Sequence, residues 1–210
     1  MLNIFKKQLE EKIEQQTLLF FGRSGSGKGT QIKLLMELLQ KKNPSRNIFY
    51  IETGNLVREL AKTNSYSGRR TKEIIDAGGL LPEFVPILLW GRVMIDNLTG
   101  NEHLITDGLS RRLPEADILI SALSFYERKN PKVVYINVSR DWATERLINR
   151  GRKDDSATGV TSRMDWFEQS VISVLDYFKN HDGYQFIDIN GEQPIEDVHN
   201  EILAKLGLNL

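Results

Sequence analysis

TLLFFGRSGSGKGTQIKLLMELLQKK, residues 17–42, decides the architecture. Five residues, TLLFF, read as a buried strand, and GTQIKLLMELLQKK places Ile32, Leu35, Met36 and Leu39 on one face of a helix. Between them, GRSGSGKGT (22–30) supplies Gly22, Gly25, Gly27 and Gly29 around Lys28. A glycine-rich turn lets successive backbone N–H groups face one centre. The helix that follows adds the positive end of its dipole, so the loop is suited to phosphate. Gly25, Ser26, Gly27, Lys28, Gly29 and Thr30 are the candidate phosphate ligands, with Lys28 reaching the distal phosphates. The common pattern G-x-x-x-x-G-K-[ST] is met with a variation, because Gly29 follows the lysine and the hydroxyl arrives at Thr30. Two other readings are a ligand-free strand-to-helix turn and a dinucleotide fingerprint in which Glu52 would hold a ribose. The second fails on the glycines, which give only G-x-G-x-x-T from Gly25, and on the lysine, which has no part in that fingerprint. Glu52 then reads as a strand-end polar residue.

Outward from this stretch, short apolar runs alternate with longer segments of helical period, the pattern of a parallel sheet covered by helices. The predicted strands are Thr17–Phe21, Asn47–Ile51, His103–Thr106, Val133–Val138 and Gln185–Ile189. The predicted helices are Gly29–Lys42, Pro82–Leu98, Pro114–Glu127, Asp141–Arg150, Thr161–Lys179 and Pro194–Leu206, with Pro82, Pro114 and Pro194 suited to first turns. The expected fold is α/β: a three-layer P-loop NTPase domain with a five-stranded parallel sheet and helices on both faces. Residues 53–81, richer in Gly, Arg and Thr, read as an inserted helical subdomain, and residues 151–159 as a short charged flap. MLNIFKKQLEEKIEQQ places Leu2, Phe5, Leu9 and Ile13 at helical spacing and reads as an extra N-terminal helix docked on one domain spanning 1–210.

Composition narrows the partners. The 28 Lys and Arg balance 28 Asp and Glu, so no whole-chain field favours nucleic acid or an anionic membrane, and any polyanion site is local. The absence of Cys fits a reducing compartment, and cytoplasm is the expectation. His103, His181 and His199 show no ligand spacing. Asp107 follows the apolar strand HLIT, which sets its carboxylate at the C-terminal sheet edge where α/β ligands bind. One carboxylate with phosphates is a normal Mg²⁺ arrangement. The other reading of Asp107 is a helix cap.

GRSGSGKGTQ resembles the phosphate loop of adenylate kinases, and the likeness continues in order along the chain. TGNLVRE resembles the family's monophosphate-binding segment and implies Thr53 and Gly54 near the base and Arg58 on the monophosphate. GRRTKEIIDAGGLLP is similar to the segment whose end, here Leu80 and Leu81, lies against the acceptor base. LITDGLSRRLPEAD resembles the strand-end segment, implying Asp107 on Mg²⁺ through water, Gly108 at the acceptor base and Arg111 on phosphate oxygens. ERLINRGRKDD resembles the start of a short lid, with Arg146, Arg150, Arg152 and Arg163 matching an arginine cluster and Asp154 and Asp155 an acidic pair. IDINGEQPIEDV, with Gln193, resembles the loop on the donor adenine. The resemblance implies reversible phosphoryl transfer from ATP to AMP, Mg²⁺ as cofactor, no nucleic-acid or membrane partner, and a monomer.

Phosphoryl transfer needs positioning and charge neutralisation more than a nucleophile, and guanidinium groups suit it because they grip phosphate bidentately. Lys28, Arg58, Arg111, Arg146, Arg152 and Arg163 would form the cationic ring, and the Arg58 region and the Arg152 flap would close over substrates. Several positions depart from the family pattern: Asn55 for Asp, Leu109 and Ser110 for Phe and Pro, and Glu115 for the Gln that reads the acceptor base. An ionised glutamate only accepts hydrogen bonds, which suits guanine better than adenine. AMP remains the expected acceptor, with GMP or a broader range as the alternative, and a non-catalytic nucleotide-binding module as the reading outside enzymes.

Overall fold

The computed structural model describes residues 13–151 and 156–208. β1 (Thr17–Phe21) is buried at every position, in the middle of a parallel sheet with β2 (Ile48–Glu52), β3 (His103–Asp107), β4 (Lys132–Asn137) and β5 (Gln185–Asn190). The strand order is β2-β3-β1-β4-β5. Parallel neighbours need long crossovers. Helices supply them: α1 (Lys28–Lys42), α2 (Thr53–Ala61), α3 (Tyr66–Asp76), α4 (Phe84–Asn97), α5 (Leu113–Phe125) and α6 (Arg140–Arg150). α7 (Ala157–Trp166) runs through a π turn (Phe167–Val171) into α8 (Ile172–Lys179), and α9 (Ile195–Leu206) closes the chain.

The period of two along a strand divides β1 between two cores. Leu18 and Phe20 face α1 and α9, with Ile32, Leu35, Leu39, Val198 and Ile202. Leu19 and Phe21 face the other layer, with Trp90 and Met94 of α4, Leu119 of α5 and Val174 and Phe178 of α8. Because both of its faces are covered, β1 is buried throughout, whereas the edge strand β5 alternates exposed Asp188 and Asn190 with buried Ile187 and Ile189. Among the described residues, no helix is long and apolar enough to cross a membrane.

Sequence expectation and structure agree on all five strands within a residue at each end. The helical boundaries show more correction. Ala157–Val160, read as flap, form the first turn of α7, because Ser156 caps it by accepting from Gly159 N at 3.2 Å. The helix expected over 161–179 therefore starts four residues earlier and contains a π turn that the sequence gives no sign of. Pro114 lies in the first turn of α5, Pro194 is the N-cap of α9, and Pro82 precedes α4 altogether. Of the expected N-terminal helix, residues 1–12 lie outside the described residues and 13–16 are not helical.

The N-terminal sheet edge is locked by polar groups rather than by apolar contact. Arg128, 1% exposed, donates from Nε to Thr17 Oγ1 at 2.9 Å and from Nη2 to the carbonyls of Gln16 and Glu102 at 3.1 and 2.8 Å. Its partner Glu102 is also buried; burial alone would raise that carboxyl, but the Thr99 hydroxyl and the backbone N–H groups of Thr99 and Gly100 hold it below the usual range. His103 Nδ1 accepts from Gln16 N at 3.0 Å, so the ring is neutral; burial, with Arg46 and Arg128 nearby, lowers its pKa to about 4.

Arg128→Ala would strand Glu102 and two carbonyls, and removing one partner of a buried pair costs about 3–5 kcal/mol. Urea unfolding should show a loss of that size, and a loss under about 1 kcal/mol would contradict the buried network. Unfolded His103 takes up a proton near pH ~6.5, whereas the folded residue does so only near 4. Its contribution is therefore complete above that upper value and is lost as pH falls towards 4. The loss reaches about 3 kcal/mol, and His103→Asn should flatten that part of the stability profile. Identical slopes for both proteins would show that His103 is not the group responsible.

Candidate active site

The cleft at the C-terminal ends of the strands starts from close backbone packing. The β1–α1 loop passes under β4 and α6 so tightly that a Cβ at Gly22 would lie 2.6 Å from Ile136 O, and one at Gly25 2.7 Å from Ala143 O. Both glycines also hold positive φ, 150° and 87°. Only glycine fits there. Gly27, at φ 93°, caps α1, whose first turn contains no acidic residue to neutralise its N–H groups. Lys28 bends back over the loop and donates to Gly22 O at 2.8 Å and Arg23 O at 3.1 Å. Burial lowers its pKa, and Asp107 and Glu52 oppose that shift. Ser26 Oγ is buried in the same loop with no hydrogen-bond partner.

Facing the loop, β2 and β3 end in register at Glu52 and Asp107. Burial raises the Asp107 carboxyl, while Lys28 pulls it back down. The Tyr50 hydroxyl stands 3.4 Å from Glu52 Oε2, and burial beside Asp107 and Glu52 pushes the phenol well above its ordinary range. Arg111, just beyond β3, has its proton affinity lowered by burial, against the pull of Glu115 and Asp107. Its guanidinium lies 5.3 Å from the Trp166 ring. Arg163, one turn before Trp166, donates from Nε to Gly159 O at 3.3 Å. Arg146 stacks on Trp142 at 4.0 Å.

Most of these groups, though not Tyr50, Trp142 or Glu115, line one cleft of about 940 Å³, at the top of the range for small-molecule sites. Gly25, Ser26, Gly27, Lys28, Gly29, Thr30, Arg146, Arg150 and Gln193 lie on it, as do Gly54, Arg58, Asp107, Gly108, Arg111 and Arg163. Four expected acceptor residues are not on its wall. Thr53 and Glu115 are 1% and 2% exposed, Leu81 is buried, and Leu80 is half-buried. Glu115 Oε2 accepts from Arg111 N at 3.0 Å, a contact that bridges the start of α5. Leu81 O accepts from Arg112 Nη1 at 2.6 Å. Arg152, Asp154 and Asp155 lie outside the described residues.

The sequence reading missed the aromatic floor. Trp166 and Phe167 line the cleft, and Phe167 carries the Arg23 guanidinium 4.7 Å from its centroid. Arg23 in turn donates to Val138 O at 2.8 Å and pairs with Glu168 at 3.2 Å. The signal available was Trp166 three residues after Arg163 on one helix, a spacing that puts both on one face. Trp166 Nε1 also donates to Gly78 O at 3.2 Å, tying α7 to the segment after α3.

A family model described as adenylate kinase matches residues 20–183. The adenylate kinase of Corynebacterium urealyticum is 29% identical over 189 residues, covering 90% of this chain and 98% of the relative. Adenylate kinase 1 of Nostoc sp. is 30% identical over 191 residues, with the same coverage of both chains. The adenylate kinase of Corynebacterium glutamicum strain R is 30% identical over 190 residues, again covering 90% and 98%. The loop, the strand-end carboxylate and the arginines of the cleft all fall in the matched span, and the chain belongs to the adenylate kinase family.

Proposed function

We propose that this protein transfers the γ-phosphoryl group of ATP reversibly to AMP, with Mg²⁺, giving two molecules of ADP. Family membership makes it a phosphotransferase of the nucleoside monophosphate kinase kind. The observation that carries the finer reading is the meeting in one cleft of Lys28, Arg58, Arg111, Arg146 and Arg163 with the glycine loop. Two polyanions repel each other, and only a site with permanent cations on both sides of the reacting atoms can hold them in line.

In this reading the N–H groups at the start of α1 and Lys28 take the β- and γ-phosphates of ATP, and Arg146 and Arg150 stand on the donor side. Gln193 would contact the donor adenine. Arg58 and Arg111 hold the acceptor phosphate, with Arg163 over the transferred group and Thr53, Gly54, Leu80, Leu81 and Gly108 around the acceptor base. Arg152, Asp154 and Asp155 are expected to join from the flap. Burial disfavours the charge on Lys28, and arriving phosphates would restore it, so the cation is strengthened where negative charge develops. Packing of Trp166 under Arg111 holds that guanidinium without engaging all of its donors. We read the protein further as a cytoplasmic monomer, in line with the family resemblance and the absence of Cys.

The donor set fits Mg²⁺: a half-buried strand-end carboxylate, Asp107, beside the phosphate loop, with Ser26 Oγ buried and unpartnered in that loop. Such a site uses one or two carboxylates with substrate phosphates and water rather than a cage of protein ligands. Bound there, the ion would neutralise phosphate charge and orient the donor.

Glu115 bears on the choice of acceptor. Burial pushes its carboxyl up, opposed by the Arg111 N–H, so its protonated form is more accessible than that of an exposed glutamate. That form can donate to adenine N1 as an amide would. The preference for AMP over the alternative acceptor GMP rests on the likeness of the whole acceptor segment to that of adenylate kinases.

Incubation with ATP, Mg²⁺ and each of AMP, GMP, CMP and UMP should yield ADP fastest from AMP. Lys28→Met should lower turnover by about 10² to 10³. No diphosphate from any acceptor would overturn the enzyme reading, and full activity of the variant would overturn the role of Lys28. Glu115→Gln fixes a donor at that position and should raise the AMP-to-GMP preference by roughly tenfold, the worth of one hydrogen bond. An unchanged preference would reduce Glu115 to a brace for the start of α5.

A further inference from the structure

Glu52 is a cleft residue that the proposed reaction leaves without work. It ends β2, lines the cleft, and stands in register with Asp107. Its carboxylate is already engaged. Oε1 pairs with Arg58 Nη2 at 2.8 Å, and Oε2 accepts from Asn55 Nδ2 at 2.6 Å. Asn55 Oδ1 accepts from the same Arg58 nitrogen at 2.5 Å, which closes a three-residue ring. Gly54 lies against this ring: a Cβ there would meet Arg58 Nη1 at 3.1 Å and Glu52 Oε1 at 3.2 Å. The pair is half-buried, with side chains 35% and 25% exposed, so water does not fully screen it.

We propose that Glu52 is a positioning residue acting through Arg58, an internal anion that occupies the guanidinium in the empty site and must give it up before an acceptor phosphate can bind. The proposal rests on the reading above that Arg58 holds the acceptor phosphate. A carboxylate and a phosphate present similar oxygens to a guanidinium fork, and the two anions repel at this range, so Arg58 cannot serve both fully. The contact therefore weakens acceptor binding and favours departure of the diphosphate, because the carboxylate reclaims Arg58 as product leaves. Donor phosphates, held by the loop around Lys28, are not in competition with it. A plain preorganising role predicts the opposite sign: if Glu52 only aimed Arg58 at its ligand, removing its charge would weaken acceptor binding.

Glu52→Gln keeps the shape and one acceptor for Arg58 while removing the charge, and Glu52→Ser removes the contact altogether. Steady-state kinetics on the full chain should show the AMP KM lowered roughly threefold to tenfold in both variants, since an exposed to half-buried pair sets the scale. The ATP KM should move by less than about twofold and kcat should not rise, because stronger binding of the ground state does not speed the chemical step. The same changes in an Arg58→Ala background should have no effect on the AMP KM. An AMP KM that is unchanged or raised by the Glu52 substitutions, or lowered equally with and without Arg58, overturns the proposal. If Arg58→Ala alone leaves the AMP KM unchanged, the fault lies instead with the assignment of Arg58 to the acceptor phosphate. Thermal unfolding of each variant, matched to the parent, keeps a folding defect from imitating any of these results.

Discussion

The molecule depends on how closely its backbone packs at the β1–α1 turn. Gly22 and Gly25 press against the carbonyls of Ile136 and Ala143, leaving no room for a side chain. That contact fixes the start of α1 against β4 and α6, where Lys28 is half-buried and desolvation lowers its pKa. A buried ammonium without partners is costly. The loop answers by turning two of its own carbonyls, those of Gly22 and Arg23, onto Nζ. The turn that shapes the phosphate site therefore also supplies the lysine's partners in the empty protein.

The two ends of the sheet solve different problems. At the N-terminal edge, most of the buried polar atoms find partners within the chain: Arg128 has three hydrogen bonds to Thr17, Gln16 and Glu102, and Glu102 is held by its own turn, while Arg128 Nη1 and His103 Nε2 stay unpartnered. At the C-terminal edge, buried charge is left unbalanced, with Ser26 Oγ unpartnered and the Lys28 and Asp107 pKa values pushed toward neutrality by burial. Unpartnered atoms occur at both ends, but only here do desolvated charges of both signs line an open cleft, and that marks the end where a ligand belongs. The sheet between them, apolar on both faces, holds the two ends apart as a rigid body.

The strands were legible because both sheet faces are covered, which makes TLLFF and VVYIN continuous apolar runs that no amphipathic helix produces. The phosphate loop was legible for a related reason: a lysine among glycines after such a run has few other uses. What stayed hidden depends on contacts between distant segments. Arg128 reads as one more surface arginine after α5 until Thr17 and Glu102 fold around it. The aromatic floor brings Phe167, the first residue of the π turn, against Arg23 of the distant β1–α1 loop, and nothing local in FEQSV announces the extra residue. Thr53, Glu115 and Leu81 take their places beside the acceptor end of the cleft from a pattern, and in the empty protein each is buried behind the cleft wall. Pattern position gives the neighbourhood of a side chain but not the direction it faces.

An enzyme of this kind must fold before its substrates arrive, so its cationic ring has to be stable while empty. Arg111 shows the strain most plainly, since burial and the charges of Arg58 and Arg163 all lower its proton affinity. Glu115 and Asp107 offset this for Arg111, Glu52 pairs with Arg58, and Trp166 offers a π face that carries no net charge. Each acidic counter-charge that stabilises the empty cleft also repels incoming phosphate, whereas an aromatic face does so far less. The mix of carboxylates and rings around the arginines therefore sets a balance between the stability of the open protein and its grip on nucleotides. With net charge near zero over the whole chain, the field at the nucleotide is set by these nearby groups rather than by the molecule as a whole.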